Sequence, residues 1–176
     1  MEETQSLGMS PRQTAEMVKE WLEDDGYVID TAGLTNTDFG WQFKASGQRL
    51  YLLKLKNRAN VLVVSGSIIL GKNKKSILDS SSAPNLFHEL SMKYLELGLD
   101  YFFRPELNNL NLIELCKHIH YDKLSKNELS LTVNLIRNIV IWTQKKIDRD
   151  LFGITNNIKP DSVNSPITEG MPSDWN

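Results

Sequence analysis

The first helix is predicted from apolar residues that recur at three- and four-residue spacing near the start of the chain. Ser10 and Gln13 fit a capping box, and Pro11 suits the first helical position. Gly26 is placed to end the helix in the left-handed conformation. The pattern therefore predicts a helix over residues 11–25.

Two further segments show the same periodicity. Pro84 opens a second predicted helix, which ends before Gly98. Ser125 and Glu128 fit another capping box and start a third helix that runs to about Asp150, with Gly153 after its end. The chain is thus expected to contain three helices.

Alternation of apolar and polar residues predicts strands between these helices. Gly66 interrupts the longest β-branched run, and we interpret it as a bulge or a bend. The predicted strands span residues 27–30, 39–45, 50–56, 59–70, 101–103 and 111–122.

The strand over residues 50–56 is expected to have one apolar and one charged face. Tyr51, Leu53 and Leu55 would lie on one face, and Lys54 and Lys56 on the other.

The predicted order of elements is α-β-β-β-(β)-α-β-β-α. Strands grouped between helices are typical of an α+β domain, here an antiparallel sheet of about five to six strands with three helices. We expect a flexible N-terminus over residues 1–10, a single domain over 11–152 and a disordered C-terminal tail over 153–176, where polar residues and proline dominate.

Composition narrows the function classes. The chain has 176 residues, a net charge of −2 and one cysteine. A nucleic-acid-coating protein would be basic, and a single cysteine allows neither an internal disulfide nor a cysteine-rich zinc site. No secretory signal or membrane span is apparent. We therefore expect a cytoplasmic protein.

The third helix carries more apolar surface than one sheet requires. A first stripe contains Leu129, Val133, Ile136, Val140 and Ile147, and a second contains Leu131, Leu135, Ile139 and Trp142. A helix on one sheet needs a single apolar stripe. The second stripe would either pack against another helix of the same chain or form a homodimer or partner interface, with Trp142 as an anchor.

One face of the last strand carries metal-ligating side-chain types. Cys116, His118 and His120 alternate along it, flanked by Glu114 and Asp122. Alternate residues are roughly 6.6 Å apart along a strand, so a straight ladder converges poorly on one ion. We expect a solvated face with no metal and no cofactor, and keep the three residues as the metal candidate.

A basic patch is a further candidate site. Its members would be Lys54, Lys56, Arg58, Lys72, Lys74 and Lys75, with Trp41 or Tyr51 available to stack on a base. Solubility of the strand and loop explains the same lysines without nucleic acid, so nucleic-acid binding is disfavoured.

Four segments together resemble a known family. They are Val18–Leu22, the run Leu50–Arg58 into Val61–Leu70, Tyr121–Glu128 and Leu135–Asn138. The pattern resembles an archaeal family of domains of unknown function with the type III secretion chaperone-like fold. The resemblance covers about residues 11–152. It implies that fold, a frequent homodimer and a role in binding other proteins, and it brings no catalytic residue.

These observations predict a protein- or peptide-binding module that forms a homodimer. We expect it to be non-enzymatic, since neither a Gly-x-Ser-x-Gly nor a His-Glu-x-x-His motif occurs. One alternative is a small metal-binding enzyme or sensor that uses the strand from Cys116 to His120. The other is a nucleic-acid-binding accessory protein.

Overall fold

The computed structural model describes residues 9–70, 83–104 and 112–152. The elements are α1 (Pro11–Asp24), β1 (Ile29–Thr31), β2 (Thr37–Ala45), β3 (Gln48–Leu55), β4 (Val61–Ile69), α2 (Ala83–Glu96), β5 (Asp100–Arg104), β6 (Leu112–His120), a short 3-10 turn (Tyr121–Lys123) and α3 (Lys126–Phe152). Of the predicted N-terminus only residues 9–10 are described, and the predicted tail over 153–176 lies outside the described residues.

The six strands form one antiparallel sheet in the order β1-β2-β3-β4-β6-β5. β4 and β6 are neighbours although α2 and β5 separate them in the chain. Within the described residues, the predicted α+β class, the three helices and the order of elements are confirmed.

Helix boundaries agree with the local signals. Both halves of the Ser10 capping box form, and Gly26 has a φ of +84°, which suits a left-handed cap. At the start of α3, the Glu128 amide donates to Ser125 Oγ over 3.1 Å. α2 begins at Ala83, one residue before the predicted Pro84.

All three helices pack on one face of the sheet. Cross-strand partners share a face, and one such row is Ile29, Phe43, Leu50, Gly66, Leu115 and Tyr101. α3 lies over Gly66 through Val140, and the α2 ring of Tyr94 lies 5.4 Å from that of Tyr101. α1 covers β2, with the Lys19 ammonium 5.9 Å from the Trp41 ring centre.

The core lies between this face and the helices. Leu62 and Val64 of β4, and Val133, Ile136 and Ile139 of α3, are all fully buried. One polar contact crosses this layer: the hydroxyls of Tyr94 and Thr143 are 2.9 Å apart and join α2 to α3.

Gly66 is neither a bulge nor a bend, so that prediction is wrong. β4 continues through it, since Gly66 pairs with Leu50 on one side and Leu115 on the other. A Cβ at this position would lie 2.9 Å from both Leu50 Cδ2 and Val140 Cγ2. The glycine is therefore explained by the close approach of α3.

β3 alternates as predicted, since Tyr51 and Leu53 share one face and Lys54 lies on the other, but the buried face is the one that carries Lys54. Leu50, Leu52 and Lys54 face the helices, while Tyr51 and Leu53 lie on the opposite face. Lys54 is only 5% exposed, because its ammonium donates to the backbone oxygens of residues 55 and 58 at the β3–β4 turn.

Candidate functional site

The second face of the sheet has no helix packed on it in the described part of the chain. One row of neighbours crosses all six strands on this face: Asp30, Gln42, Tyr51, Ser65, Cys116 and Asp100. We call this side of the sheet the open face. Its composition is mixed, so it resembles neither a core layer nor an ordinary solvated surface.

The residues of β4 on the open face form a row of mostly small side chains, Val61, Val63, Ser65 and Ser67, which we call the trough. Its floor consists of Val61, Val63 and Ser65, which are only 9%, 5% and 3% exposed. Their cross-strand neighbours are larger, such as Leu53 on β3 and His118 on β6. The three floor residues are hardly exposed, although no helix of the described part of the chain packs over them. β3 and β6 are two strand spacings apart, about 9.6 Å.

Three chemically reactive side chains meet at the β5–β6 end of the open face. Asp100 pairs directly with Cys116, and His118 lies two residues farther along β6. One ligand atom from each of the three lies within 4.8 Å of the other two. Asp100 Oδ2 is 3.2 Å from His118 Nδ1, and the Arg58 Nη1 is 3.4 Å from His118 Nε2.

Burial and nearby charges shift the pKa values of the Cys116 thiol and the His118 imidazole. Burial, with the nearby charges of Asp100 and Glu114, raises the pKa of Cys116 to about 11. Burial also lowers the pKa of His118, against the opposing effect of Asp100. Both shifts favour the neutral forms of the Cys116 thiol and the His118 imidazole at neutral pH.

The metal candidates from the sequence are only partly brought together. Cys116 and His118 lie in the cluster, whereas His120 is exposed, pairs with Val61 and stands outside it. Glu114 is engaged by Arg104, with Nε and Oε2 3.0 Å apart. Sequence reasoning missed Asp100, because only the register between β5 and β6 places it opposite Cys116.

The second stripe of α3 is not one continuous surface. Ile139 is fully buried in the core of this chain, which removes it from the predicted interface. Leu135 and Trp142 are partly buried and pack against that core. Leu131 is 57% exposed. The helix therefore turns much of its second stripe toward its own domain.

The basic patch is not assembled as predicted. Lys54 points into the helix side of the sheet, and Trp41 lies on that side as well. Lys72, Lys74 and Lys75 lie outside the described residues. In the described residues, Lys54 and Trp41 therefore do not lie on an exposed surface shared with the rest of the predicted patch.

Within the described residues, no helix is both long enough and apolar enough to pass through a bilayer.

Comparison with known proteins identifies a family and a fold. The family model described as "Uncharacterized conserved protein (DUF2299)" matches residues 14–147. An uncharacterized protein from Methanothermobacter thermautotrophicus has a similar structure, with a TM-score of 0.70, 15% identity, and coverage of 78% of this chain and 99% of that one. YbjN from E. coli gives a TM-score of 0.49 at 12% identity, covering 79% of this chain and 93% of its own. No curated protein matches.

Proposed function

We propose a non-enzymatic binding function for this chain, which belongs to the DUF2299 family of uncharacterized conserved proteins. The ligand in this proposal is an extended segment of a partner polypeptide, and the trough along β4 receives it. The observation that carries the proposal is a line of small, shielded residues on a sheet face that no described helix covers.

The dimensions of the trough favour a single extended chain. The backbones of the flanking strands are about 9.6 Å apart, and their side chains occupy part of that distance, so the row between them suits one extended backbone better than a helix of about 10 Å diameter. From Val61 to Ser67, the floor runs roughly 20 Å, which is the length of about six extended residues.

The two walls differ in chemistry, which favours a peptide with an apolar and a polar edge. The β3 wall offers the ring of Tyr51 and the side chain of Leu53 for apolar contact. The β6 wall is polar, with His118 held by Asp100 and Glu114 held by Arg104, so a peptide would meet polar groups along this side. Apolar contact would supply affinity, and the polar wall would set the direction of the peptide.

The protonation of Cys116 supports a non-enzymatic function. A nucleophilic cysteine acts as the thiolate, and catalytic sites lower the thiol pKa. Here burial raises that pKa to about 11, which opposes thiolate formation at neutral pH.

Two further parts of the proposal concern setting and assembly. We place the protein in the cytoplasm, where a single thiol remains reduced. The homodimer stays a prediction, and Leu131 is now the residue of the second stripe that best tests it, because it is the most exposed of the four.

Selection from a displayed library of random peptides tests the function, because it does not require the natural partner to be identified. The folded protein should enrich peptides whose residues alternate between apolar and polar types. Val63→Lys should abolish capture, because it places a charge on the trough floor while its side chain can still reach solvent. Circular dichroism checks the fold of the variant.

The matched control is Leu131→Lys, which adds the same charge to an exposed position on α3. It should capture the selected peptides as the wild type does. Should Val63→Lys fail to fold, Ser67→Lys introduces the charge at a less buried position of the same floor. No enrichment, or equal capture by wild type and the folded floor variants, would contradict the proposal.

A further inference from the structure

We propose that Asp100, Cys116 and His118 form a binding site for a thiophilic divalent metal ion, with zinc as the ion of choice. This site goes beyond the peptide-binding function and does not depend on it. It revises the sequence-based expectation of no metal, which considered β6 alone, because β5 supplies the missing ligand.

The three side chains have the right chemistry. Thiolate, imidazole and carboxylate are the three ligand types that proteins use for zinc, and three protein ligands leave the fourth tetrahedral position to water or another molecule. The soft sulfur ligand disfavours magnesium and calcium, which take oxygen ligands.

The three side chains are also close enough. Ligand atoms around tetrahedral zinc are about 3.5 Å apart, given metal–ligand distances of roughly 2.0–2.3 Å. Here the three atoms lie within 4.8 Å of one another, and two of them, on Asp100 and His118, are already 3.2 Å apart. Small side-chain rotations would close the remaining gap, and the paired backbones of β5 and β6 hold the ligands on one side of the sheet.

The metal-free state holds the ligands in place. With Nδ1 protonated, His118 donates to Asp100, and Arg58 donates to Nε2. Metal binding at Nδ1 would move that ring proton to Nε2 and release the thiol proton to solvent. The cation would also stabilise the thiolate, which burial otherwise disfavours at Cys116.

Arg58 gives the site a distinctive signature. Its charge lies beside His118 and repels a cation, and its hydrogen bond to Nε2 is lost when that nitrogen is protonated. Arg58→Gln should therefore bind metal more tightly than the wild type, by at least about 5-fold, the factor that matches the repulsion of two unit charges about 4 Å apart in bulk water. A residue with only a structural role would not produce a gain.

Cobalt is a suitable probe because its thiolate complex absorbs in the near ultraviolet. The chain has one cysteine, so any such band reports Cys116. Untagged protein treated with chelator should develop the band with one equivalent of Co²⁺ and lose it when Zn²⁺ is added. Cys116→Ser should abolish the band.

Asp100→Asn and His118→Gln should each weaken Co²⁺ binding by more than about 10-fold, the least that loss of a supporting residue costs. The matched control is His120→Gln, which changes a histidine on the same strand and face but outside the cluster. It should bind as the wild type does. Asp100 is 57% exposed at its side chain, so Asp100→Asn should fold even if Cys116→Ser does not.

Absence of the band in wild-type protein would overturn the proposal. So would a loss of affinity in His120→Gln together with unchanged affinity in Asp100→Asn, because the ligands would then be those of the β6 ladder alone. Peptide capture is measured on chelated protein, so failure of the metal site leaves the peptide-binding proposal standing, and the reverse also holds.

Discussion

Replacement of Gly66 by alanine should destabilise the protein, because the added Cβ would meet α3 and β3 at once. The new atom would lie 2.9 Å from Leu50 Cδ2 and Val140 Cγ2, and 3.0 Å from Ile136 Cγ2. Ordinary contacts begin near 3.4 Å, so three fully buried side chains must give way. Overpacking of this kind costs about 1–3 kcal/mol. Alanine recovers roughly 0.5–1 kcal/mol of the conformational entropy that glycine loses, which leaves a net loss of up to about 2.5 kcal/mol, centred on about 1 kcal/mol.

Urea unfolding followed by circular dichroism measures this loss as a lower midpoint at an unchanged slope. The matched control is Gly33→Ala, at a glycine without positive φ whose added Cβ would have no neighbour within 4 Å. That variant should be unchanged or up to about 1 kcal/mol more stable. If Gly66→Ala matched the wild type in free energy of unfolding, α3 would not approach β4 as described.

Four other predictions address the helices and the tail. Trp142→Glu should lower the free energy of unfolding by several kcal/mol, because the ring packs against the core. Leu131→Glu should leave that quantity nearly unchanged and, for a homodimer through this stripe, should halve the mass seen by light scattering; an unchanged mass would count against the dimer. Tyr94→Phe should cost about 1 kcal/mol in urea unfolding, because Thr143 loses a buried partner, and a neutral result would show that the hydroxyl pair adds no stability. Removal of residues 153–176 should leave the melting temperature unchanged, and a drop of several degrees would show that the tail packs on the domain.

Helix ends could be predicted because their signals are local. The capping residues Ser10 and Ser125, and the left-handed Gly26 and Gly98, act within one turn of the helix they bound. Such signals do not depend on distant parts of the chain, so a single sequence carries them.

Which face of β3 is buried could not be predicted, because apolar residues occupy both of its faces. Leu50 and Leu52 line the core, while Tyr51 and Leu53 line the trough. Alternation cannot show which set is buried when both are apolar. Lys54 misled the prediction further, since the backbone carbonyls of a turn and the Asp38 carboxylate, 3.6 Å away, surround its ammonium in place of solvent.

The site was predicted in part for a similar reason. Alternation correctly put Cys116 and His118 on one face of β6. Asp100 is sixteen positions earlier and follows α2, so its place depends on the pairing of two strands. Interstrand register is a tertiary property that local pattern does not fix when both faces carry polar and apolar residues.

Methyl NMR spectra of the protein with a selected peptide test the central claim, that the trough binds an extended peptide, most directly. Neighbouring residues on β3 and β4 report on opposite faces of the sheet. Addition of the peptide should shift the methyl signals of Leu53 and Val63, which line the trough, and leave those of Leu52 and Val64, which face the helices. Shifts confined to Leu131 and other α3 methyls, with Leu53 and Val63 unmoved, would place the binding surface on the helices and contradict the account.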